Sequence, residues 1–125
     1  MSAHIVMAED ADGTRLTFAA VLRKAGYKVS LARNGKEALE LIRKGMGTAD
    51  VVNLLVTDIW MEELDGLQLM DALAAQAIKL PVLAMTGYGD KDLMLQLMKK
   101  GCADYIEKPF GSAELLNHVK EILSR

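Results

Sequence analysis

Asp58 closes the apolar run Leu54-Leu55-Val56-Thr57, and reactive side chains close the other short apolar runs of the chain as well. Glu9 and Asp10 follow Ile5-Val6-Met7-Ala8, Thr86 follows Pro81-Val82-Leu83-Ala84-Met85, and Lys108 follows the run containing Tyr105-Ile106. If these runs are strands of one open parallel sheet, their carboxyl ends converge on a single crevice, where such folds bind ligands. Three carboxylates, a hydroxyl and an ammonium gathered there make a site for a divalent cation and a phosphoryl group. Like charges this close raise each other's pKa unless a cation neutralises them. Mg²⁺ fits the donor set best, because it takes oxygen ligands from a few carboxylates and completes its shell with waters and phosphate oxygens. The sequence lacks the His and Cys clusters that favour zinc.

Lys108 supplies a compact positive charge suited to phosphate. Thr86 offers a hydrogen-bond donor, and Gly87 leaves the space beside it open. A cis Lys108-Pro109 bond would turn the chain sharply and aim Lys108 inward. Taken singly, each residue has an ordinary reading: an acidic turn that caps a helix, a strand-end threonine, a surface lysine. Their joint placement is what points to chemistry.

The elements that must position them follow a βα unit repeated five times. Strands are predicted over His4 to Ala8, Lys28 to Ala32, Asn53 to Thr57, Pro81 to Met85 and Asp104 to Glu107. The second is polar-flanked and suits a sheet edge; the third is apolar without alternation, as in a central parallel strand covered on both faces. Helices are predicted from Asp12 to Ala25 with Phe18, Val21, Leu22 and Ala25 inward, and from Asn34 with Ala38, Leu41 and Ile42 inward. Asn34 and Glu37 have the spacing of a capping box. A third helix opens at Gly66 after the polar loop Glu62 to Asp65, with Met70, Leu73, Ala74 and Ala77 inward. Asp90 caps a fourth, with Met94, Leu97 and Met98 inward, and Ser112 a fifth, with Leu115, Val119 and Ile122 inward. Gly26 and Gly101 stop the first and fourth helices. The eight methionines are read as packing. Such alternation gives an α/β fold, a doubly wound parallel sheet with helices on both faces, flavodoxin-like with strand order 2-1-3-4-5.

Bulk properties narrow the class. The 125 residues suit one domain, 1–125, with one core, and 51% apolar with 26% charged residues is ordinary for a soluble protein. A net charge of −2 and a pI near 5.7 argue against direct nucleic-acid binding. The single cysteine, Cys102, excludes an intrachain disulfide and is read as a small, partly buried hydrophobe. No apolar stretch approaches the ~20 residues of a membrane span. The first strand begins almost at once, so no signal peptide is expected and a cytoplasmic location is.

With these residues in view, the chain resembles the receiver domain of bacterial two-component response regulators over essentially its full length. Glu9-Asp10, the Asp58…Asp65-Gly66 spacing, Met85-Thr86-Gly87 and Lys108-Pro109-Phe110 match that family in order and spacing. The resemblance implies that Asp58 is the phosphoacceptor, and that Glu9, Asp10, Asp58 and the Trp60 backbone carbonyl surround Mg²⁺. It implies that Thr86 and Lys108 bind the phosphoryl group and that Tyr105 is an aromatic switch turning inward when Thr86 moves. The donor would be a sensor histidine kinase or histidine phosphotransfer protein. The output would be a downstream protein or fused domain, with a homodimer through the helix 4-strand 5-helix 5 face as one form. The protein would catalyse only its own phosphotransfer and dephosphorylation, without membrane or direct nucleic-acid contact by this domain.

Two features depart from the family pattern. Glu62 stands where most relatives have proline, which loosens the loop and adds charge near the metal, and the segment before the third strand is longer than usual. Trp60 and Tyr88 each stand two residues beyond a site residue, and two aromatics there would restrict the path of hydrolytic water and prolong the phosphoryl group's life.

Three other readings compete. A phosphorylation-independent pseudo-receiver would not need the full set of site residues. A haloacid-dehalogenase-type phosphatase would need a second Asp two residues beyond the nucleophile, where Trp60 stands. A flavodoxin-type carrier would need a phosphate-cradling loop after the first strand, where Glu9-Asp10-Ala11-Asp12 would repel phosphate.

Overall fold

The computed structural model describes residues 2–87 and 89–125. Strands and helices alternate as β1 (His4–Ala8), α1 (Asp12–Lys24), β2 (Lys28–Ala32), α2 (Gly35–Gly45), β3 (Leu54–Asp58), α3 (Gly66–Ala75), β4 (Val82–Thr86), α4 (Lys91–Lys99), β5 (Asp104–Glu107) and α5 (Ser112–Leu123). The sheet order is β2-β1-β3-β4-β5 and every neighbouring pair is parallel, which is the doubly wound arrangement expected. Among the described residues no helix is long and apolar enough to cross a membrane.

Strand side chains alternate between the two faces, so one apolar strand feeds two cores. Val6 and Ala8 of β1 join α2, α3 and α4, while Ile5 and Met7 join α1 and α5. β1 and β4 are buried throughout, and β2 and β5 at the edges are only partly covered. β3 and β4 each lie one residue later than expected, which brings Asp58 and Thr86 inside the ladder. Pro81 has no N–H to donate, and only its carbonyl joins β3, at 3.1 Å from the Leu55 nitrogen.

Helix starts differ from expectation in three places. Asn34 Oδ1 accepts from the Glu37 N–H at 2.9 Å, but the Glu37 carboxylate accepts from Arg33 N–H at 2.8 Å, one residue before the cap, so only half the box forms. The complete box is Asp65 with Gln68, with reciprocal bonds of 2.9 and 3.0 Å. The cap of α5 falls on Gly111, whose backbone is extended; Ser112 is already helical, so its hydroxyl makes no capping bond. Asp90 caps α4 as expected, accepting from Leu93 N–H at 3.1 Å.

Inward faces also shift. α5 buries Leu115, Val119 and Ile122 as read. α4 buries Leu93 and Leu97, and Met98 is 58% exposed because only this one-residue-wide i, i+4 stripe reaches the sheet. Met46 is likewise exposed, so not every methionine is packing. In α3 the buried set is Leu69, Met70 and Leu73; Ala74 is exposed, and Ala77 lies beyond the helix with φ 55°. α2 buries Leu39 in preference to Leu41, and in α1 Ala19 and Leu22 are buried while Ala25 is exposed.

The long segment before β3 is pinned by His4. Its N–H donates to Asn53 Oδ1 at 2.8 Å, and its ring bridges the Asp50 carbonyl at 2.8 Å and Ser30 Oγ at 2.7 Å. A carbonyl only accepts, so Nδ1 carries a proton. Lys28 pairs with the Asp50 carboxylate.

Gly66 fixes how α3 leaves β3. A Cβ there would lie 2.7 Å from the Asp58 carbonyl oxygen and 2.9 Å from Ile59 Cα, both backbone atoms that cannot swing aside. Gly66→Ala is expected to cost about 1–3 kcal/mol, as overpacking does, measured by chemical denaturation beside an exposed control such as Gly13→Ala.

Candidate functional site

The strand order places the ends of β1, β3 and β4 side by side, and β1 and β3 deliver the acids. Glu9, Asp10 and Asp58 each offer a carboxylate oxygen within 4.8 Å of the others. Glu9 is 1% exposed and the Asp58 side chain 13%. Lys108 Nζ lies 2.9 Å from Glu9 Oε1 and 3.2 Å from Asp58 Oδ2. The remaining oxygens are held by backbone donors: Ala11 N–H to Glu9 Oε2 at 3.2 Å and Ile59 N–H to Asp58 Oδ1 at 2.8 Å.

Asp10 sits at the rim. Partial burial, then a hydrogen bond with Glu9 and the charge of Glu9, raise its pKa above the usual 3.8. Burial alone would lower the Lys108 pKa, but the hydrogen bond to Glu9 and the charges of Asp58 and Glu9 outweigh it and raise the pKa above 10.5. Carboxylates crowded this closely, with one still raised despite a neighbouring ammonium, suit an oxygen-seeking cation.

The loop after β5 aims the lysine. Lys108 N–H donates to the Thr86 carbonyl at 2.8 Å, the Lys108-Pro109 bond is cis as expected, and Phe110 stacks on Phe18 of α1 with centroids 4.8 Å apart. Thr86 is buried at the end of β4, and its hydroxyl lies 3.4 Å from the Ile106 carbonyl, directed toward β5. Tyr105 is half-buried in β5, opposite Ala84. Trp60 follows in the β3–α3 loop and is 58% exposed. Tyr88 lies outside the described residues. Glu62 is exposed in the same loop, which is tied to α2 by Gly35 N–H donating to the Leu64 carbonyl at 2.9 Å.

Arg15 escaped the sequence reading. It is 7% exposed and donates to the Glu9 carbonyl at 2.8 Å and to Asp12 at 2.5 Å, holding the β1–α1 turn behind the acids. Its spacing of three from Asp12 on a helix was the available signal. Cys102 is half-buried, and burial followed by the Asp104 charge raises its thiol, as befits an inert hydrophobe.

Lys108→Met is expected to lower stability at neutral pH by leaving Glu9 buried without its cation. The folded protein holds the lysine proton more tightly than the unfolded chain does. That stabilisation is therefore complete below about 10.5 and fades as pH rises through the raised value. Urea denaturation across pH would show the gap between wild type and variant narrowing only at the alkaline end.

The response regulator receiver domain family matches residues 5–120. The chain is 34% identical over 125 residues to response regulator MprA of Mycobacterium ulcerans, covering all of this chain and 52% of that protein. It is 36% identical over 105 residues to the transcriptional regulatory protein ZraR of Klebsiella oxytoca, covering 84% of this chain and 23% of that one. It thus spans about a quarter to a half of the length of these relatives. The receiver domain of Francisella response regulator 1452 superposes with a TM-score of 0.89 at 27% identity, covering 99% of this chain and 98% of that one. Sequence match and sheet order agree with the acid-and-lysine pocket, and the chain belongs to the response regulator receiver domains of two-component systems.

Proposed function

We propose that this receiver domain accepts a phosphoryl group on Asp58 from the phosphohistidine of a sensor kinase or histidine phosphotransfer protein, in the presence of Mg²⁺. The observation that carries this reading is Lys108 Nζ bridging Glu9 and Asp58 beside Asp10. Glu9, Asp10 and Asp58, with the Trp60 carbonyl, would hold the cation, which supplies neutralisation of phosphate charge.

Asp58 Oδ2, the oxygen not held by Ile59, attacks phosphorus in line as the P–N bond breaks, and the imidazole leaves with the electron pair. Lys108 releases its grip on the carboxylate and meets the equatorial oxygens, where charge develops. Positioning and charge carry such a transfer, because phosphoryl chemistry asks little covalent work of the protein. The acyl phosphate stays on the protein's own side chain, so no separate substrate is turned over.

The new group adds about 1.5 to 2 negative charges. Thr86 exchanges its bond to Ile106 for a phosphoryl oxygen, and Tyr105 fills the vacated space. The α4-β5-α5 face is thereby biased between two states. Leu95 and Met98 lie exposed on α4, and Asp104 pairs with His118 across β5 and α5 at 2.7 Å, giving that face apolar and polar contacts for an output domain, a partner or a second copy. The switch acts in the cytoplasm. A phosphorylation-independent module gains no support from a site in which acids and ammonium meet.

Incubation with acetyl phosphate and Mg²⁺ is expected to add one phosphoryl mass to the wild type, none to Asp58→Asn and none with chelator. Equal gain in both proteins would reject Asp58 as acceptor, and no gain in either would reject the phospho-switch. Because Asp10 binds its proton more tightly than an ordinary aspartate, protons compete with the cation at higher pH than usual. Mg²⁺ affinity, followed by fluorescence of the single tryptophan Trp60, is expected to fall on acidification, and to be weaker at neutral pH in Asp10→Asn.

A further inference from the structure

The start of α2 grips the loop that leaves β3, through a contact the phosphoacceptor reading does not use. A helix start leaves its first N–H groups without intrahelical partners. The Asn34 side chain accepts from the Glu37 N–H, and Gly35 N–H donates to the Leu64 carbonyl at 2.9 Å. Gly35 is buried, and the two backbones meet with no room for a side chain. A Cβ on Gly35 would lie 2.9 Å from the Leu64 carbonyl carbon and closer still to its oxygen. Close approach of this kind requires glycine.

The gripped loop has few other backbone ties. Met61 and Leu64 pack on the core, and Gly66 N–H closes the loop's base by donating to the Ile59 carbonyl at 2.8 Å. No proline stands between Ile59 and Gly66 to fix a backbone angle. Glu63 takes φ 66°, and Leu64 N–H donates to the Glu62 carbonyl at 2.7 Å, making a three-residue turn of the rare, strained form. A residue persists in such a conformation only where neighbouring contacts hold it. Among the described residues, Gly35–Leu64 is the backbone hydrogen bond that ties residues 60–64 to another element.

The other side of the grip leads to the acids. Glu9 N–H donates to the Ala32 carbonyl at 3.1 Å, so the ends of β1 and β2 are joined just before α2 begins. The path Glu9, Ala32, Gly35, Leu64 therefore links the strand end that carries Glu9 and Asp10 with the loop that carries Trp60.

We infer that Gly35 is a positioning residue for the cation: its contact with Leu64 fixes the loop bearing the Trp60 carbonyl relative to the strand end bearing Glu9 and Asp10. This role rests on the reading of those groups as Mg²⁺ ligands. Groups that orient a metal's ligands govern its affinity without touching the ion.

Gly45 supplies the control, at the other end of α2, where a Cβ would lie 2.5 Å from the Asp50 carbonyl oxygen on the segment before β3. Gly35→Ala and Gly45→Ala are both expected to lose stability in urea. In Mg²⁺ titrations followed by Trp60 fluorescence, Gly35→Ala is expected to need about tenfold more Mg²⁺ than the wild type, and Gly45→Ala no more. At saturating Mg²⁺, acetyl phosphate should label Gly35→Ala as fully as the wild type. Unchanged Mg²⁺ demand in Gly35→Ala would overturn the inference, as would an equal rise in Gly45→Ala or labelling that saturating Mg²⁺ does not restore. Amide hydrogen exchange on the wild type reads the same coupling without a variant. By linkage, Mg²⁺ should slow exchange of the Gly35 N–H more than that of the Met46 N–H, and equal slowing would also overturn it. A wild type that ignores Mg²⁺ altogether would reject the ligand reading and this role with it, whereas the other adverse outcomes leave that reading standing.

Discussion

The ammonium of Lys108 between Glu9 and Asp58 is the contact on which the rest of this structure depends. Glu9 is almost wholly buried and must not stand alone, because a buried carboxylate without a counter-charge costs several kcal/mol. The counter-charge comes from the opposite end of the chain, so the sheet must close in the order that brings β5 and its following loop within reach of β1 and β3. Backbone donors from Ala11 and Ile59 take the outward oxygens, and Arg15 ties the turn from behind. Among the described residues no other hydrogen bond spans so much sequence.

That arrangement is poised more than it is relaxed. The lysine satisfies two carboxylates, and the third stays raised in pKa at the rim. A site built for permanent neutrality would carry another cationic side chain. This one leaves the balance to whatever enters from solvent, and the entering group decides which partner the lysine keeps.

Much of this was legible in the residues. The acids, the threonine and the lysine each end an apolar run, and parallel topology makes such ends meet; sheet order and the pocket's membership follow. What escaped reading depended on three-dimensional neighbours. The α4 stripe narrowed to Leu93 and Leu97, with Met98 left facing solvent, a fact no periodicity contains. The Asp65–Gln68 box went unread because a loop assignment ended where a cap began, while Asn34–Glu37 had the spacing and lost half the bonds to Arg33. Arg15 went unread because its role depends on the Glu9 carbonyl it donates to. The start of β4 slipped by one because Pro81 offers the ladder a carbonyl only.

The stacked rings of Phe18 and Phe110 give the lysine a mounting that is independent of its charge. Phe110 stands two residues beyond Lys108, and its partner belongs to α1, the helix that rises from the acidic turn. The donor and one acceptor of the central ion pair, Lys108 and Glu9, thus adjoin the segments joined by this apolar stack. Position and charge at this centre are separately adjustable: trimming a ring would let the ammonium wander with its full charge, and neutralising the ammonium would leave its mounting intact. A lineage could therefore tune how firmly the centre holds an incoming group by altering residues that never touch it.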